Sequence, residues 1–237
     1  METIVFIIHI LGIVSFSAAG AMVAIDHETD TFGVVFLSII TCFGGGLLRD
    51  IIAGQAIGRD LPVVLTDMNL ELIVCILTAL TVFFIAKIFK RKYVEEEETV
   101  NAINNVLDAL GIGVFTAAGT EAYMELGPLV AIVMGVISSV GGSMTRDVIL
   151  RQVPYVLKKR IYVLALLAGA VVYYVTAQYI IPNSAATSFV STIACSVVIF
   201  SIRMLATHFK WNMPIAIRFA ELRAESDEQN EQNTVHK

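Results

Sequence analysis

Phe43–Ile52 reads FGGGLLRDII, and Val140–Ile149 reads VGGSMTRDVI. Gly44, Gly45, Arg49, Asp50 and Ile52 of the first stretch return as Gly141, Gly142, Arg146, Asp147 and Ile149, 97 residues later. A second block repeats in the same order. Leu11–Gly20 is LGIVSFSAAG and Leu110–Gly119 is LGIGVFTAAG, identical at seven of ten positions with an offset of 99. Two matched blocks in one order mark an internal duplication.

The surrounding chain is 57% hydrophobic and only 16% charged, whereas soluble domains carry about 25% charged residues. A soluble fold of this size cannot hide so much apolar surface in one core. Lipid removes the difficulty, and a spanning helix needs about 20 mostly apolar residues. Seven stretches qualify, at 3–25, 32–57, 69–89, 102–122, 127–150, 160–181 and 186–208. The expected fold class is an all-α membrane protein of seven transmembrane helices. The N-terminus is no signal peptide: its first charge is Glu2, and residues 11–20 recur later. Residues 91–101 read as a charged loop and Ile181-Pro182-Asn183 as a turn. Beyond Asn212 the chain turns polar, and 224–237 read as disordered.

Each copy of the duplication holds three spans. An odd number makes the second copy enter from the opposite side, so the repeat is inverted. The organisation expected is a three-helix unit over 1–92, its inverted copy over 102–181, a seventh helix over 186–210 and a polar cytoplasmic tail over 211–237. Inverted repeats of this kind build transport proteins, with the solute site near the midplane between the copies. Orientation follows from the basic residues. With the N-terminus outside, fourteen of the sixteen Lys and Arg fall at inner ends, leaving Arg49 and Arg59 in the outer half. The chain then lies in the cell inner membrane with its C-terminus cytoplasmic.

Several classes are excluded. No basic stripe interleaved with aromatics suggests nucleic acid. No HExxH, GxSxG, Walker loop or paired-carboxylate pattern suggests an enzyme. Cys42, Cys75 and Cys195 lie singly in apolar spans and read as small buried hydrophobes. His9, His27, His208 and His236 are scattered. No metal and no cofactor is expected. Lys87, Lys90, Arg91, Lys92, Lys158, Lys159 and Arg160 suffice to set topology, and the acidic run Glu95–Glu98 argues against a lipid-headgroup patch there.

The repeated glycine–arginine–aspartate stretch carries the chemistry. Each glycine weakens a helix by about 1 kcal/mol relative to alanine. A broken helix in lipid survives only where its backbone lines a wet cavity or is buried in protein. Adjacent glycines at matched positions are therefore expected to break or kink the second and fifth helices, the alternative being close helix packing. A broken helix offers dipole ends to a small cation or a zwitterion. Ionisable residues within a span usually face an interior or a water-filled cavity. Arg49 lies about 25 Å along its helix from Phe32 at 1.5 Å per residue, past the midplane, and Arg146 lies on the other side by inversion. Helix neighbours do not face each other, so crossed ion pairs are expected, Arg49 with Asp147 and Arg146 with Asp50, the alternative being headgroups or loop carbonyls. Ser15, Ser17, Thr116 and Thr120 add hydroxyls at or near repeat-matched positions, with back-bonding to the helix the commoner use. Asp108 faces the wet side, and Glu121 a helix end. Ser17, Thr116 and Asp108 are the secondary pathway candidates.

Two three-helix repeats, each with GG(G/S)xxRD in its second helix and followed by a seventh helix, resemble the prokaryotic trimeric intracellular cation (TRIC) channels, also grouped as a glycine transporter (UPF0126-type) family. The resemblance covers about residues 3–208. It implies a homotrimer with a pore through each subunit and kinked glycines in helices two and five. It implies monovalent cations as permeant ions, K⁺ before Na⁺; apart from the resemblance, membrane lipids are the further partner expected of a spanning chain, with bound lipid the one associated molecule. It places Gly44, Gly45, Gly46, Arg49, Asp50, Gly141, Gly142, Ser143, Arg146 and Asp147 around the pore. The second copy departs from the first by carrying Ser143 where the first has Gly46, so a milder kink is expected there. The basic lipid-binding motif of animal members has no counterpart. A secondary transporter of a small amino acid such as glycine is the alternative function, and a non-transporting scaffold the third.

Overall fold

The computed structural model describes residues 2–66, 69–158, 161–182, 184, 186–209 and 211. Among them, seven helices are long and apolar enough to cross a membrane. They are α1 (Glu2–Asp26), α2 (Thr31–Ala53), α3 (Asn69–Ile88), α4 (Glu97–Glu121), α5 (Pro128–Ile149), α6 (Ile161–Val175) and α7 (Thr187–His208). Alternation puts Lys87–Lys92, Arg151 and the end of α7 together, here the basic end. The N-terminus lies at the opposite end. The expected tail over 211–237 falls outside the described residues apart from Trp211.

Local chemistry sets the boundaries. The Asp30 side chain accepts from Gly33 N at 2.7 Å and caps α2. Gly127, at φ 94°, turns the chain into α5, whose first residue is Pro128. A five-residue π segment, Thr176–Ile180, extends α6 to the turn at Ile181. The expected loop over 91–101 is instead helical: Lys90–Glu95 is a short helix, and α4 starts at Glu97. Its exposed charges pair four residues apart, Arg91 with Glu95 at 2.8 Å and Lys92 with Glu96 at 3.7 Å, which supports a solvated helix.

The core lies between the two copies. Phe16 and its repeat mate Phe115 stack with centroids 5.0 Å apart and an interplanar angle of 6°. A residue touching its own repeat mate is what a two-fold axis between the copies requires. The glycine contacts obey the same exchange. A methyl on Gly44 would lie 3.1 Å from Gly142 Cα, and one on Gly141 would lie 2.8 Å from Gly45 Cα. A methyl on Gly45 would collide with the Ser138 carbonyl, and one on Gly142 with the Thr41 carbonyl. Outward, Leu11, Phe36, Ile51, Leu77 and Val197 are exposed, as an apolar solvent demands.

Candidate solute pathway

At the centre, α2 and α5 cross on bare backbone. Both helices run through their glycines without interruption. The expected breaks at Gly44–Gly46 and Gly141–Gly142 are therefore absent, and the structure corrects that reading. The physical reason is the backbone contact between α2 and α5. Missing side chains are used to bring two backbones together, which small residues permit between membrane helices, so helical hydrogen bonding need not be lost. Gly46 differs from its neighbours. A methyl there would meet only Arg49 Nη2, at 3.8 Å. The second copy fills the matching place with Ser143, whose hydroxyl donates to Val140 O at 3.0 Å.

The ion pairs also differ from expectation. Arg49 Nε donates to Asp50 Oδ1 at 2.7 Å, and Arg146 Nη2 to Asp147 Oδ1 at 2.8 Å. The crossed pairs Arg49–Asp147 and Arg146–Asp50 do not form. Each arginine folds its long stem back onto its neighbour, because each aspartate is anchored by a backbone amide further along the chain. Asp50 Oδ2 accepts from Val63 N, and Asp147 Oδ2 accepts from Tyr155 N, both at 3.0 Å. The short helices Val63–Thr66 and Tyr155–Lys158 each begin just after a proline, Pro62 or Pro154. Each aspartate thus caps a one-turn helix. Arg59 adds a contact to Asp50 at 3.7 Å, and the buried Tyr123 donates to Asp50 Oδ1 at 3.3 Å. Burial, then the Asp50 charge, pushes the Tyr123 phenol up, so it stays a protonated donor. What does cross between helices is Arg49 Nη1, which donates to Ser138 Oγ of α5 at 3.3 Å.

Two cavities flank this crossing. Toward the N-terminal end, a small one of about 40 Å³ is walled by His9, Gly46, Arg49, Asp50, Phe115 and Ser138. At the basic end, a cavity of about 460 Å³ is lined by Asn101, Asn104, Asp108, Ser143, Arg146, Asp147 and Arg203, among others. Each contains one Arg–Asp pair of the duplication.

Of the secondary candidates, Asp108 lines the larger cavity. Ser17 is spent on packing, donating to Cys75 O of α3 at 2.7 Å. Thr116 is fully buried, and its hydroxyl has no partner among the described residues. Neither lines the two cavities. Sequence reasoning missed three groups. Arg203 of α7 donates to Asp108 Oδ2 at 2.7 Å and to Asn105 Oδ1 at 2.9 Å, and lies 4.4 Å over the Tyr162 ring. Its signal was an arginine inside the seventh apolar span, counted only toward topology. His9 packs edge-on against Phe115 with centroids 5.5 Å apart. Glu71 is a buried carboxylate in the first turn of α3; its signal was a charge at the start of an apolar run.

The glycine transporter family model matches residues 6–87 and 105–178. The chain is 32% identical over 178 residues to the UPF0126 inner membrane protein YadS of Escherichia coli (strain K12), covering 74% of this chain and 80% of that protein. It is 31% identical over 169 residues to the UPF0126 membrane protein YvgT of Bacillus subtilis (strain 168), covering 70% and 78%. Among solved structures it resembles a prokaryotic TRIC channel crystallised in 0.5 M KCl, with a TM-score of 0.74 and 27% identity, over 90% of this chain and 100% of that one. It also resembles the TRIC trimeric intracellular cation channel orthologue from Rhodobacter sphaeroides, with a TM-score of 0.72 and 26% identity, over 88% and 100%. These relatives are membrane proteins and channels rather than enzymes. A repeat-built bundle of seven spanning helices, matched over most of its length, belongs to the glycine transporter family.

Proposed function

We propose that the protein is a passive channel for monovalent cations, K⁺ before Na⁺, with one pathway through each subunit of a homotrimer. The carrying observation is the pair of cavities on opposite sides of the α2–α5 crossing, each built around one Arg–Asp pair of the duplication. The similarity to structures described as TRIC cation channels supports the same reading. The basic end faces the cytoplasm by the positive-inside tendency, which puts the N-terminus outside the inner membrane. The narrow outer side supports reading this conformer as a closed one. Its outer cavity is a tenth the size of the inner one, and the Phe16–Phe115 stack fills the space between the copies. Opening is a shift at the glycine crossing. Two helices in contact through backbone have no interlocked side chains to hold them in register there.

The test uses proteoliposomes loaded with KCl. Protein-dependent K⁺ efflux that follows the imposed voltage supports the channel. Absence of efflux, together with saturable uptake of labelled glycine in the same vesicles, would make the protein a transporter.

A further inference from the structure

The larger cavity carries two arginines and two aspartates, an unusual lining for a cation vestibule. The two carboxylates are not equivalent. Asp147 is saturated: Oδ1 takes Arg146, and Oδ2 takes Tyr155 N. Asp108 gives only Oδ2 to Arg203, and its side chain keeps 16% exposure toward the cavity. Its Oδ1 has no hydrogen-bond donor among the described residues. One helical turn earlier, Asn104 lines the same cavity, and its buried Oδ1 has no partner either. Residues four apart on a helix share a face. Asp108 Oδ1 thus faces a space roomy enough for several waters, while the unsatisfied Asn104 Oδ1 lies one turn away and closed off from it.

We propose that Asp108, with cavity water, forms a weak site for a partly hydrated monovalent cation, and that Arg203 makes it selective by denying it to divalent ions. The inference rests on the cation-channel reading. A hard divalent ion such as Mg²⁺ keeps several waters and is held through one or two carboxylates. Asp108 with cavity water meets that requirement, except that Arg203 cancels the charge. A guanidinium repels a doubly charged ion twice as strongly as a singly charged one. The paired site therefore releases K⁺ readily and does not retain Mg²⁺. Arg203 is held firmly for this task. Asn105 accepts its second nitrogen, Tyr162 lies under its plane, and Asn105 in turn donates to Thr207 at 3.3 Å. It also comes from α7, which lies outside both repeats and outside the family match. This gives the unpaired seventh helix a role in the pathway of its own.

The test is Mg²⁺ block of K⁺ current through the full-length protein in planar bilayers. Mg²⁺ is added from the basic end. The variants are Arg203→Gln, Arg203→Lys, Asp108→Asn and the Arg203→Gln/Asp108→Asn double. Arg203→Gln is expected to raise Mg²⁺ affinity about tenfold, the effect of removing one charge about 5 Å from a divalent ion at water-like dielectric. Arg203→Lys should behave as the parent, and the double variant should lose the block. A parallel arm needs no current: free Mn²⁺, read by its paramagnetic resonance, is depleted by detergent-solubilised Arg203→Gln and spared by the parent and the double variant. Equal Mn²⁺ binding and equal block in parent and Arg203→Gln overturn the proposal, as does no binding and no block in either. Mn²⁺ depletion by Arg203→Gln with no current in any variant keeps the site and removes the channel.

Discussion

Alanine at Gly45 and alanine at Gly46 should act in opposite directions, although the two residues are adjacent in one glycine run. The Gly45 methyl would collide with the Ser138 carbonyl of α5, a backbone atom that cannot swing away. Overpacking of this kind costs about 1–3 kcal/mol. The Gly46 methyl meets only the far end of the Arg49 side chain, at 3.8 Å. With room available, replacing a mid-helix glycine by alanine stabilises by up to about 1 kcal/mol. The pseudo-symmetry sharpens the test. Gly142→Ala, aimed at the Thr41 carbonyl, should match Gly45→Ala, and the occurrence of Ser143 opposite Gly46 already shows that a side chain fits there. The assay is reversible unfolding of purified protein in mixed detergent–SDS micelles. If the glycines worked as a hinge needing loose backbone, Gly46→Ala would be as harmful as Gly45→Ala. That outcome would refute the packing argument.

Asp147→Asn should cost about 3–5 kcal/mol in the same unfolding assay, since it leaves the buried Arg146 without a counter-charge. The crossed swap Arg49→Asp with Asp147→Arg should rescue nothing, because those side chains do not pair. Phe115→Ala should cost about 3–5 kcal/mol as a core truncation, yet increase K⁺ efflux from proteoliposomes by enlarging the narrow outer cavity that Phe115 walls; unchanged or lower efflux per folded protein would place the barrier elsewhere. Ser17→Ala should lose about 1 kcal/mol for one buried hydrogen bond and leave K⁺ efflux as it was.

The architecture was legible because lipid imposes a length on each apolar run and the two matched blocks impose a symmetry. Three spans per copy settle inversion by counting alone. The glycine run was ambiguous for a physical reason. A missing side chain weakens its own helix and equally lets another backbone approach, and only the surface of α5 decides which effect prevails. The ion pairs were misassigned because an aspartate was treated as a partner for arginine alone. Its second oxygen binds an amide thirteen residues on at Val63, or eight residues on at Tyr155. A signal existed in Pro62-Val63-Val64 and Pro154-Tyr155-Val156, a third matched element in the two copies. Arg203 has no repeat mate to mark it in the sequence. Its partners Asn105 and Asp108 stand three apart on α4 and become visible only once α7 is packed against them.

Permeation itself is best tested by single-channel recording of the purified protein in planar bilayers with unequal KCl on the two sides. Discrete current steps reversing near the K⁺ equilibrium potential are the predicted result. Steps reversing near the Cl⁻ potential, or a silent bilayer containing folded protein, would contradict a cation pathway between the two inverted copies.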